Sequence, residues 1–452
     1  MTGPARPARP ARTPSARDVA ARVLVRVAKD AAFAAASLDA ELARHVQLEP
    51  RDRALATELV YGSLRVQPWL LARLGRFTPR GIDSVEVHVR AQLLVAAYQL
   101  FFTRLPAFAA VSETVSAVKA ERGERVAAFA NAVLRKVAHL AGQTTDEERA
   151  DAIGASIPAW IREGLERALG DEGARSFVRA GREAPPIALR VEDAASREAW
   201  IRTIAAAAPG ASVEPGRTSP RAILVRGAGK PQALPGWTEG AWTVQEEGSQ
   251  LAALAVGARE GETVLDACAG RGNKAGVLAR AVGAAGAVDA CDVSPAKLVR
   301  LGEELGRLGL HARGAFAVDW TGGSGEVTGA YDRVLVDAPC TGMGTLRRRP
   351  EIALRRDSAD LASKTRDQVA ILARAAEHVR PGGVLVYVVC SVLREEAEDV
   401  VEAALRARPE LAPAPFEAPE ARAIAGDAHS LRLLPDVHGT DGYFVALMRR
   451  RT

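Results

Sequence analysis

Two cysteines, Cys340 and Cys390, each follow a predicted β-strand. Cys340 ends the sequence DAPC after the apolar run 334–336, and Cys390 follows the apolar run 384–389. Because ligands and catalytic groups collect at the carboxyl ends of the strands in an open α/β sheet, both thiols are expected in one crevice with Asp337. A thiolate there can act as a nucleophile, so the group suggests covalent catalysis on an electrophilic carbon. Each cysteine alone also fits a core position, since free cysteine is often buried.

The composition is that of a globular protein with more than one domain. A chain of 452 residues exceeds one ordinary core and predicts about three domains. No apolar run approaches the roughly 20 residues of a membrane span, and the charged N-terminus lacks the apolar centre of a signal peptide. Four cysteines without CxxC spacing predict neither a disulfide framework nor a metal site, which favours the cytoplasm. The net charge of +5 weakly favours an anionic partner such as nucleic acid.

The chain divides into five predicted segments. Residues 1–14 repeat Pro-Ala-Arg and predict a disordered basic tail. Residues 15–140 have apolar positions at three- and four-residue spacing, which predicts an all-α domain of five to seven helices. The polar residues 141–150 are interpreted as a linker. Residues 151–235 predict a small α+β module, either a spacer or an RNA contact, and residues 236–452 alternate strands with helices.

That alternation predicts a mostly parallel sheet with helices on both faces. The expected strands of this region are 263–267, 287–291, 314–318, 332–337, 383–389 and 443–448. Helices are expected from about residue 274, over 295–308 and over 365–379. The module before it is expected to contain strands near 187–191, 212–214 and 222–226.

The turn after the first strand of this sheet has the pattern of a nucleoside site. Gly270 and Gly272 allow close backbone approach to a ligand, and Asp292 ends the next strand, where its carboxylate can accept hydrogen bonds from ribose hydroxyls. Asp319 ends the third strand and could hydrogen-bond an adenine amino group. The longer GxGxxG pattern of dinucleotide enzymes is absent, since position 275 is alanine, so S-adenosylmethionine (SAM) fits better than NAD.

Several motifs together resemble the RsmB-type (Sun/Fmu) RNA cytosine-C5 methyltransferases over nearly everything after residue 15. The motifs, in the order of that family, are VQEEGSQ, DACAGRGNKA, DAPCTGMGTLRRRPEI, PGGVLVYVVCSVLREEAEDVV and DGYFVALM. The segments RDRALATELVYGSLR and FANAVLRK resemble the NusB-like RNA-binding domain. The resemblance implies a NusB-like bundle, a small α+β module and a Rossmann-like class I SAM-methyltransferase domain.

The resemblance also implies a role for each site residue. Cys390 would add to C6 of a cytidine in small-subunit (16S) ribosomal RNA, Cys340 would assist product release, and Asp337 would hydrogen-bond the base near N3. Arg347, Arg348 and Arg349 would contact RNA phosphates or form a solvated loop. The implied cofactor contacts are Cys268, Ala269, Gly270, Arg271, Gly272, Asn273, Lys274, Asp292, Asp319 and Asp337. The protein is expected to be a monomer without a metal ion.

Departures from the family pattern leave alternatives open. Residues 270–275 read GRGNKA where the family has a proline and a further glycine, which changes the turn. Val389 replaces a threonine, Ala397 an asparagine and Glu192 another asparagine. The alternatives are a tRNA or other RNA C5-methyltransferase, a non-enzymatic ribosome-assembly factor with a decayed methyltransferase fold, and an NAD-dependent enzyme.

Overall fold

The computed structural model describes residues 14–452, which form two units. The first unit contains the chain up to Pro158 together with Arg349–Arg355, and the second contains Ala159–Arg348 and Arg356–Thr452. The predicted basic tail, except residue 14, lies outside the described residues. None of the described helices is both long and apolar enough to cross a membrane.

The first unit is helical, as the spacing of its apolar residues predicts. Its helices are α1 (Ala16–Lys29), α2 (Ala34–Arg44), α3 (Pro50–Arg65), α4 (Gln67–Gly75), α5 (Val87–Phe102), α6 (Ala107–Arg122), α7 (Glu124–Gln143) and α8 (Asp146–Ser156). Ser15 and Asp18 form a capping box at the start of α1. The fully buried Leu59, Leu93 and Leu134 lie in one apolar core, and burying each such side chain contributes about 1.5–3 kcal/mol.

The predicted linker 141–150 is mostly helical. Helix α7 continues to Gln143, and α8 begins at Asp146 after a two-residue break. Thr145 and Glu148 form a capping box that starts the new helix, so the polar residues of this segment are cap residues and first-turn acids.

The second unit begins with a small α+β region. Its elements are α9 (Ala159–Ala180), β1 (Ile187–Val191), α10 (Arg197–Ala207), β2 (Ser212–Pro215), β3 (Ala222–Arg226) and β4 (Trp242–Val244). The strands pair antiparallel in the order β2-β3-β1-β4. Three of these strands were predicted, whereas β4 lies beyond residue 235, so the sheet of the module extends past its predicted end.

An alternating α/β region follows. Its elements are α11 (Glu247–Leu254), β5 (Thr263–Asp266), α12 (Asn273–Val282), β6 (Ala287–Asp292), α13 (Pro295–Arg307), β7 (Gly314–Ala317), β8 (Tyr331–Asp337), α14 (Ser358–Ala375), β9 (Val379–Val389), α15 (Glu398–Ala407), β10 (Leu411–Pro413), α16 (Pro419–Ala425), β11 (Ser430–Leu433), α17 (Pro435–His438) and β12 (Tyr443–Arg450). Helix α14 begins seven residues before the predicted residue 365, because Asp357 and Asp360 form a capping box there.

The large sheet has the predicted, mostly parallel arrangement. Its strand order is β10-β12-β9-β8-β5-β6-β7, with β11 paired to β12. Strands β5 to β9 pair in parallel, and β12 runs antiparallel to β9. From β5 the chain first adds β6 and β7 on one side of that strand, and it then adds β8 and β9 on the other side of β5. The loops after β5 and β8 therefore diverge at a topological switch point, where open α/β sheets bind their ligands.

Candidate active site

The turn after β5 passes close to its neighbours through two glycines with positive φ. Gly270 has φ +58° and Gly272 has φ +89°. A Cβ on Gly272 would lie 2.9 Å from Cγ of Leu301, whereas a Cβ on Gly270 would meet no atom within 4 Å. The amide of Ala269 donates a hydrogen bond to the carbonyl of Cys291 (2.7 Å), which joins the turn to β6. The sequence-predicted turn is thus present, and the side chain of Arg271 is exposed.

Asp292 holds this turn from the end of β6. Its carboxylate accepts hydrogen bonds from the Gly270 amide (3.1 Å), the Ser294 amide (2.8 Å) and Nζ of Lys297 (3.2 Å). The adjacent Val293, which the sequence analysis did not single out, is 65% exposed. An exposed apolar side chain directly after a strand-terminal carboxylate presents a surface on which a nucleobase can pack.

The buried Lys274 forms an ion pair with the partly exposed Asp337. Nζ of Lys274, in the first turn of α12, lies 2.6 Å from Oδ2 of Asp337 at the end of β8. Burial acts to lower the pKa of Lys274, but attraction to Asp337, their hydrogen bond and attraction to Cys390 outweigh it, so the pKa is raised. A charged ammonium therefore lies in the field of both Asp337 and Cys390.

Asp266 is a second carboxylate of the crevice that the sequence analysis placed on a strand but did not assign to the site. It ends β5, has no solvent exposure, and its oxygens have no hydrogen-bond partner of normal geometry among the described residues. Burial raises the pKa of Asp266 to about 7, and the nearby Asp337 adds to the rise. The sequence signal that could have identified Asp266 is an acidic residue at the last position of a buried strand.

The two strand-end cysteines meet. Sγ of Cys340 lies 2.8 Å from Sγ of Cys390, and both side chains are partly exposed. The hydrogen bond with Cys390 raises the pKa of Cys340 well above its ordinary value, and burial adds to the rise. Cys340 is therefore a protonated thiol that can donate to the sulfur of Cys390.

The other two cysteines are set apart from this pair. Cys291 is fully buried within β6, and burial raises the pKa of its thiol to about 12. Burial also raises the pKa of Cys268 well above its ordinary value, with Asp266 contributing. Both pack against the apolar core. A thiol that stays protonated is a poor nucleophile, which fits structural roles for both.

The loop after Cys340 is held by a residue far along the chain. Glu396, which is fully buried, accepts hydrogen bonds from the amide of Thr341 (2.7 Å), from the hydroxyl of Thr341 and from Nε2 of Gln368 (2.9 Å). The amide of Gly344 donates to the carbonyl of Cys390 (3.0 Å). The sequence analysis quoted Glu396 only within a motif, since nothing local indicates that it reaches Thr341.

The arginines after this loop have partners inside the protein. Asp441 accepts hydrogen bonds from Nε of Arg347 (2.6 Å) and from Nε of Arg348 (2.8 Å). Arg347 is buried, so its expected role as an RNA phosphate contact is corrected to holding the loop against Asp441. Arg349 belongs to the first unit, where its side chain is exposed and its guanidinium lies 5.8 Å from the ring centroid of Phe33.

Asp319 lies two residues beyond the end of β7, rather than ending that strand. It is exposed and accepts hydrogen bonds from the amide (2.9 Å) and hydroxyl (2.6 Å) of Thr321. These bonds lower the pKa of Asp319. Its carboxylate stays ionised and accessible at the same edge of the sheet.

Comparisons with known proteins identify the family. Residues 253–449 match the family described as 16S rRNA methyltransferase RsmB/F, and residues 14–139 match the NusB family. Ribosomal RNA small subunit methyltransferase B of Pseudomonas putida is 32% identical over 442 residues, which cover 95% of this chain and 97% of the relative. This chain belongs to the RsmB/F family. A Mycobacterium tuberculosis protein named putative methyltransferase Rv1407 is 34% identical over 456 residues, 97% of each chain.

Solved structures support the same fold. The crystal structure of PH0851 has a TM-score of 0.81 at 23% identity and covers 96% of this chain and 99% of its own. NSun6 from Pyrococcus horikoshii, solved with SFG, has a TM-score of 0.56 at 20% identity and covers 66% of this chain and 99% of its own. The fold class expected from the resemblance is confirmed, with a NusB domain and a Rossmann-like methyltransferase sheet.

As an RsmB/F family member, the protein is a methyltransferase that uses SAM. The crevice fits this cofactor: the oxygens of the buried Asp266 have no hydrogen-bond partner of normal geometry among the described residues, and Val293 is an exposed apolar side chain. The alternatives of an NAD-dependent enzyme and a non-enzymatic factor are therefore set aside. The altered 270–275 turn keeps positive φ at both of its glycines.

Proposed function

We propose that the protein methylates C5 of a cytidine in 16S ribosomal RNA through a covalent adduct between Cys390 and C6 of the base. The observation that carries this proposal is the contact between Cys340 and Cys390, whose sulfur atoms lie 2.8 Å apart beside Asp337 and Lys274. The RNA substrate is taken from relatives named ribosomal RNA small subunit methyltransferase B. A cytoplasmic location follows from such a substrate.

Cys390 is the proposed nucleophile because C5 of cytosine is too weak a nucleophile to take a methyl group unaided. Addition of the Cys390 thiolate forms a sulfur–carbon bond at C6 and moves the C5–C6 electron pair towards C5. The charged ammonium of Lys274 lies in the electrostatic field of Cys390, beside the sulfur that would add to the base.

Asp337 is the proposed contact for the base. Its carboxylate lies at the end of β8, three residues before Cys340, and is paired with Lys274. A hydrogen bond between Asp337 and the base near N3 would orient the ring over Cys390 and stabilise the charge that develops as the adduct forms. Lys274 would hold Asp337 in position throughout.

Cys340 is the proposed release thiol. After methylation, a water molecule takes the proton from C5, the electron pair of that C–H bond restores the C5–C6 double bond, and the bond from C6 to Cys390 breaks. The departing sulfur regains a negative charge. Because Cys340 is a protonated thiol in hydrogen-bond contact with Cys390, it can stabilise that charge and so speed the release.

The turn after β5 would hold the cofactor. We assign the backbone from Cys268 to Lys274 to cofactor binding. Asp292 and Val293 would contact the nucleoside of the cofactor, and Asp266 would face its cationic part. Asp319, exposed at the same edge, is assigned to the adenine. When bound, SAM supplies an electrophilic methyl group. The residues of the turn bind and orient it, and burial of Asp266 and Lys274 excludes water from the reacting end.

The target cytidine would have to be unpaired or flipped out of its stack, since C6 is covered by neighbouring bases in a helix. Arg349 remains the proposed phosphate contact of the arginine cluster because it is exposed, whereas Arg347 and Arg348 are paired with Asp441.

The product of the reaction tests this proposal. Protein-free 16S rRNA and a tRNA pool would each be incubated with the full chain and methyl-labelled SAM, and the modified nucleosides would be identified by mass spectrometry. We expect 5-methylcytidine at one position of 16S rRNA. If label is found only in tRNA, the substrate is tRNA and not 16S rRNA. Label on any atom other than cytosine C5 would refute the proposed reaction.

A further inference from the structure

A polar groove lies at the edge of the small sheet in the second unit. It has a volume of about 380 Å³ and is open to solvent. One wall comes from the end of α9, another from β2 and β3, and the floor includes Arg347 and Gly439.

Exposed arginines dominate the lining. Arg179, Arg182, Arg217 and Arg226 line the groove and are exposed, against the exposed carboxylates of Glu183 and Glu214. Guanidinium groups bind phosphate oxygens with a planar pair of donors, so an excess of them on one concave surface favours a polyanion.

Arg217 is exposed, and none of the ion pairs among residues 14–452 includes it. Arg179 shares the carboxylate of Glu172 with Arg175 on the solvent side of α9 and is half-exposed. The third acid of the lining, Glu247, is buried and already accepts hydrogen bonds from the amides of Thr218 and Ser219. It therefore opposes an incoming phosphate less than a free surface carboxylate would.

Arg347, in the floor of the groove, lies three residues along the chain from a backbone hydrogen bond to Cys390. Nη2 of Arg347 donates to the carbonyl of Gly439 (2.7 Å). Gly344, three residues before Arg347, donates its amide to the carbonyl of Cys390 and accepts from the amide of Gly442 (2.8 Å). Three residues span at most about 11 Å, so the groove begins within that reach of the segment that contacts Cys390.

We propose that this groove binds the phosphodiester backbone of the RNA strand that flanks the target cytidine. The proposal rests on the proposed function, because an RNA strand must be held on either side of a base presented to Cys390. Phosphate contacts fix the register of a strand without reading its sequence. The groove would thus position the cytidine, and the base contact at Asp337 would then act on it.

The test compares Arg179→Ala/Arg217→Ala with wild type in the full chain. Binding of a labelled single-stranded RNA, which spans the methylated site, is followed by fluorescence anisotropy at several salt concentrations, and the KM for 16S rRNA is measured in parallel. Loss of two phosphate contacts is expected to weaken binding about ten-fold at low salt and to flatten the salt dependence by a slope of about 1.4. The KM for SAM should stay at the wild-type value.

Arg175→Ala is the matched control, because Arg175 pairs with the same Glu172 on the same helix but does not line the groove. Its RNA affinity should equal that of wild type. If the double variant and wild type bind RNA equally, with the same salt slope, the groove proposal is overturned. A groove that binds a protein instead of RNA would give this same result. If wild type binds RNA in the groove but methylates none, the proposed function fails while the groove stands.

Discussion

The turn after β5 and the loop after β8 both reach the crevice, but they are held in different ways. Backbone conformation shapes the turn: Gly270 and Gly272 adopt positive φ, and its contacts go to the adjacent strand β6. The loop after β8 is held by side chains from distant positions, since Glu396 binds Thr341. A cofactor turn can therefore be found in a short stretch of sequence, whereas the support of the catalytic loop cannot.

The difference separates two kinds of damage. A change in the turn should alter the affinity for SAM, because that part of the backbone is the proposed cofactor cradle. A change in the support of the loop should leave SAM binding intact and reduce turnover, because the loop positions Cys340 beside Cys390.

Glu396→Ala should have the largest effect. It removes the acceptor for the amide and hydroxyl of Thr341 and for Gln368, and leaves these buried donors without a partner. We expect kcat to fall about 100-fold, which corresponds to roughly 3 kcal/mol at the transition state, with little change in the SAM dissociation constant measured by calorimetry.

Glu395→Ala is the control for that variant, since the side chain of the neighbouring Glu395 pairs with the exposed Arg167. It should retain wild-type kcat. Weak SAM binding by a folded Glu396→Ala protein, with kcat retained at saturating SAM, would contradict the separate roles of loop and turn.

Gly272→Ala should come next and should act on the cofactor. Its φ of +89° is unfavourable for alanine by about 1–2 kcal/mol, and the new Cβ would contact Leu301 at 2.9 Å. We expect SAM binding to weaken at least about ten-fold in calorimetry.

Gly270→Ala sharpens that experiment because its Cβ would point into open space. It has only the φ penalty, so its loss of affinity should be smaller than that of Gly272→Ala. Equal losses in the two variants would mean that the approach of Leu301 is unimportant to the turn.

Asp266→Asn should give the smallest effect, which should appear as a change in the pH dependence of stability in the protein without SAM. Burial raises the pKa of Asp266 from 3.8 to about 7, so the folded apoprotein binds a proton that the unfolded chain releases. The associated stability is present below about pH 4 and is lost as the pH rises through about 7.

Thermal unfolding midpoints at pH 5 and pH 8 measure this contribution. Wild type should lose more stability between the two values than Asp266→Asn. A residual fall is expected in the variant, because the pKa of Glu246 is also raised to about 7 by burial. Identical pH dependence in both proteins would show that Asp266 is not a buried, unpaired carboxyl group.

The sequence predicts what is encoded locally. Six strands of the large sheet (β5 to β9 and β12), the glycine turn and the meeting of Cys340 with Cys390 follow from apolar runs and strand ends, and the structure confirms them. The short strands β10 and β11 were not predicted. Burial of Arg347 was missed because its partner Asp441 lies 94 residues away. The start of α14 was missed because apolar spacing does not reveal a cap at Asp357.

The unequal roles of the two thiols are the central claim, and adduct analysis in single variants tests it most directly. Cys390→Ala and Cys340→Ala would be incubated with labelled 16S rRNA and SAM, denatured, and separated by gel electrophoresis. We expect no covalent complex and no methyl transfer with Cys390→Ala, and an accumulated, denaturation-resistant complex with Cys340→Ala. Methyl transfer at the wild-type rate by Cys390→Ala, or a covalent complex formed by that variant, would contradict the account.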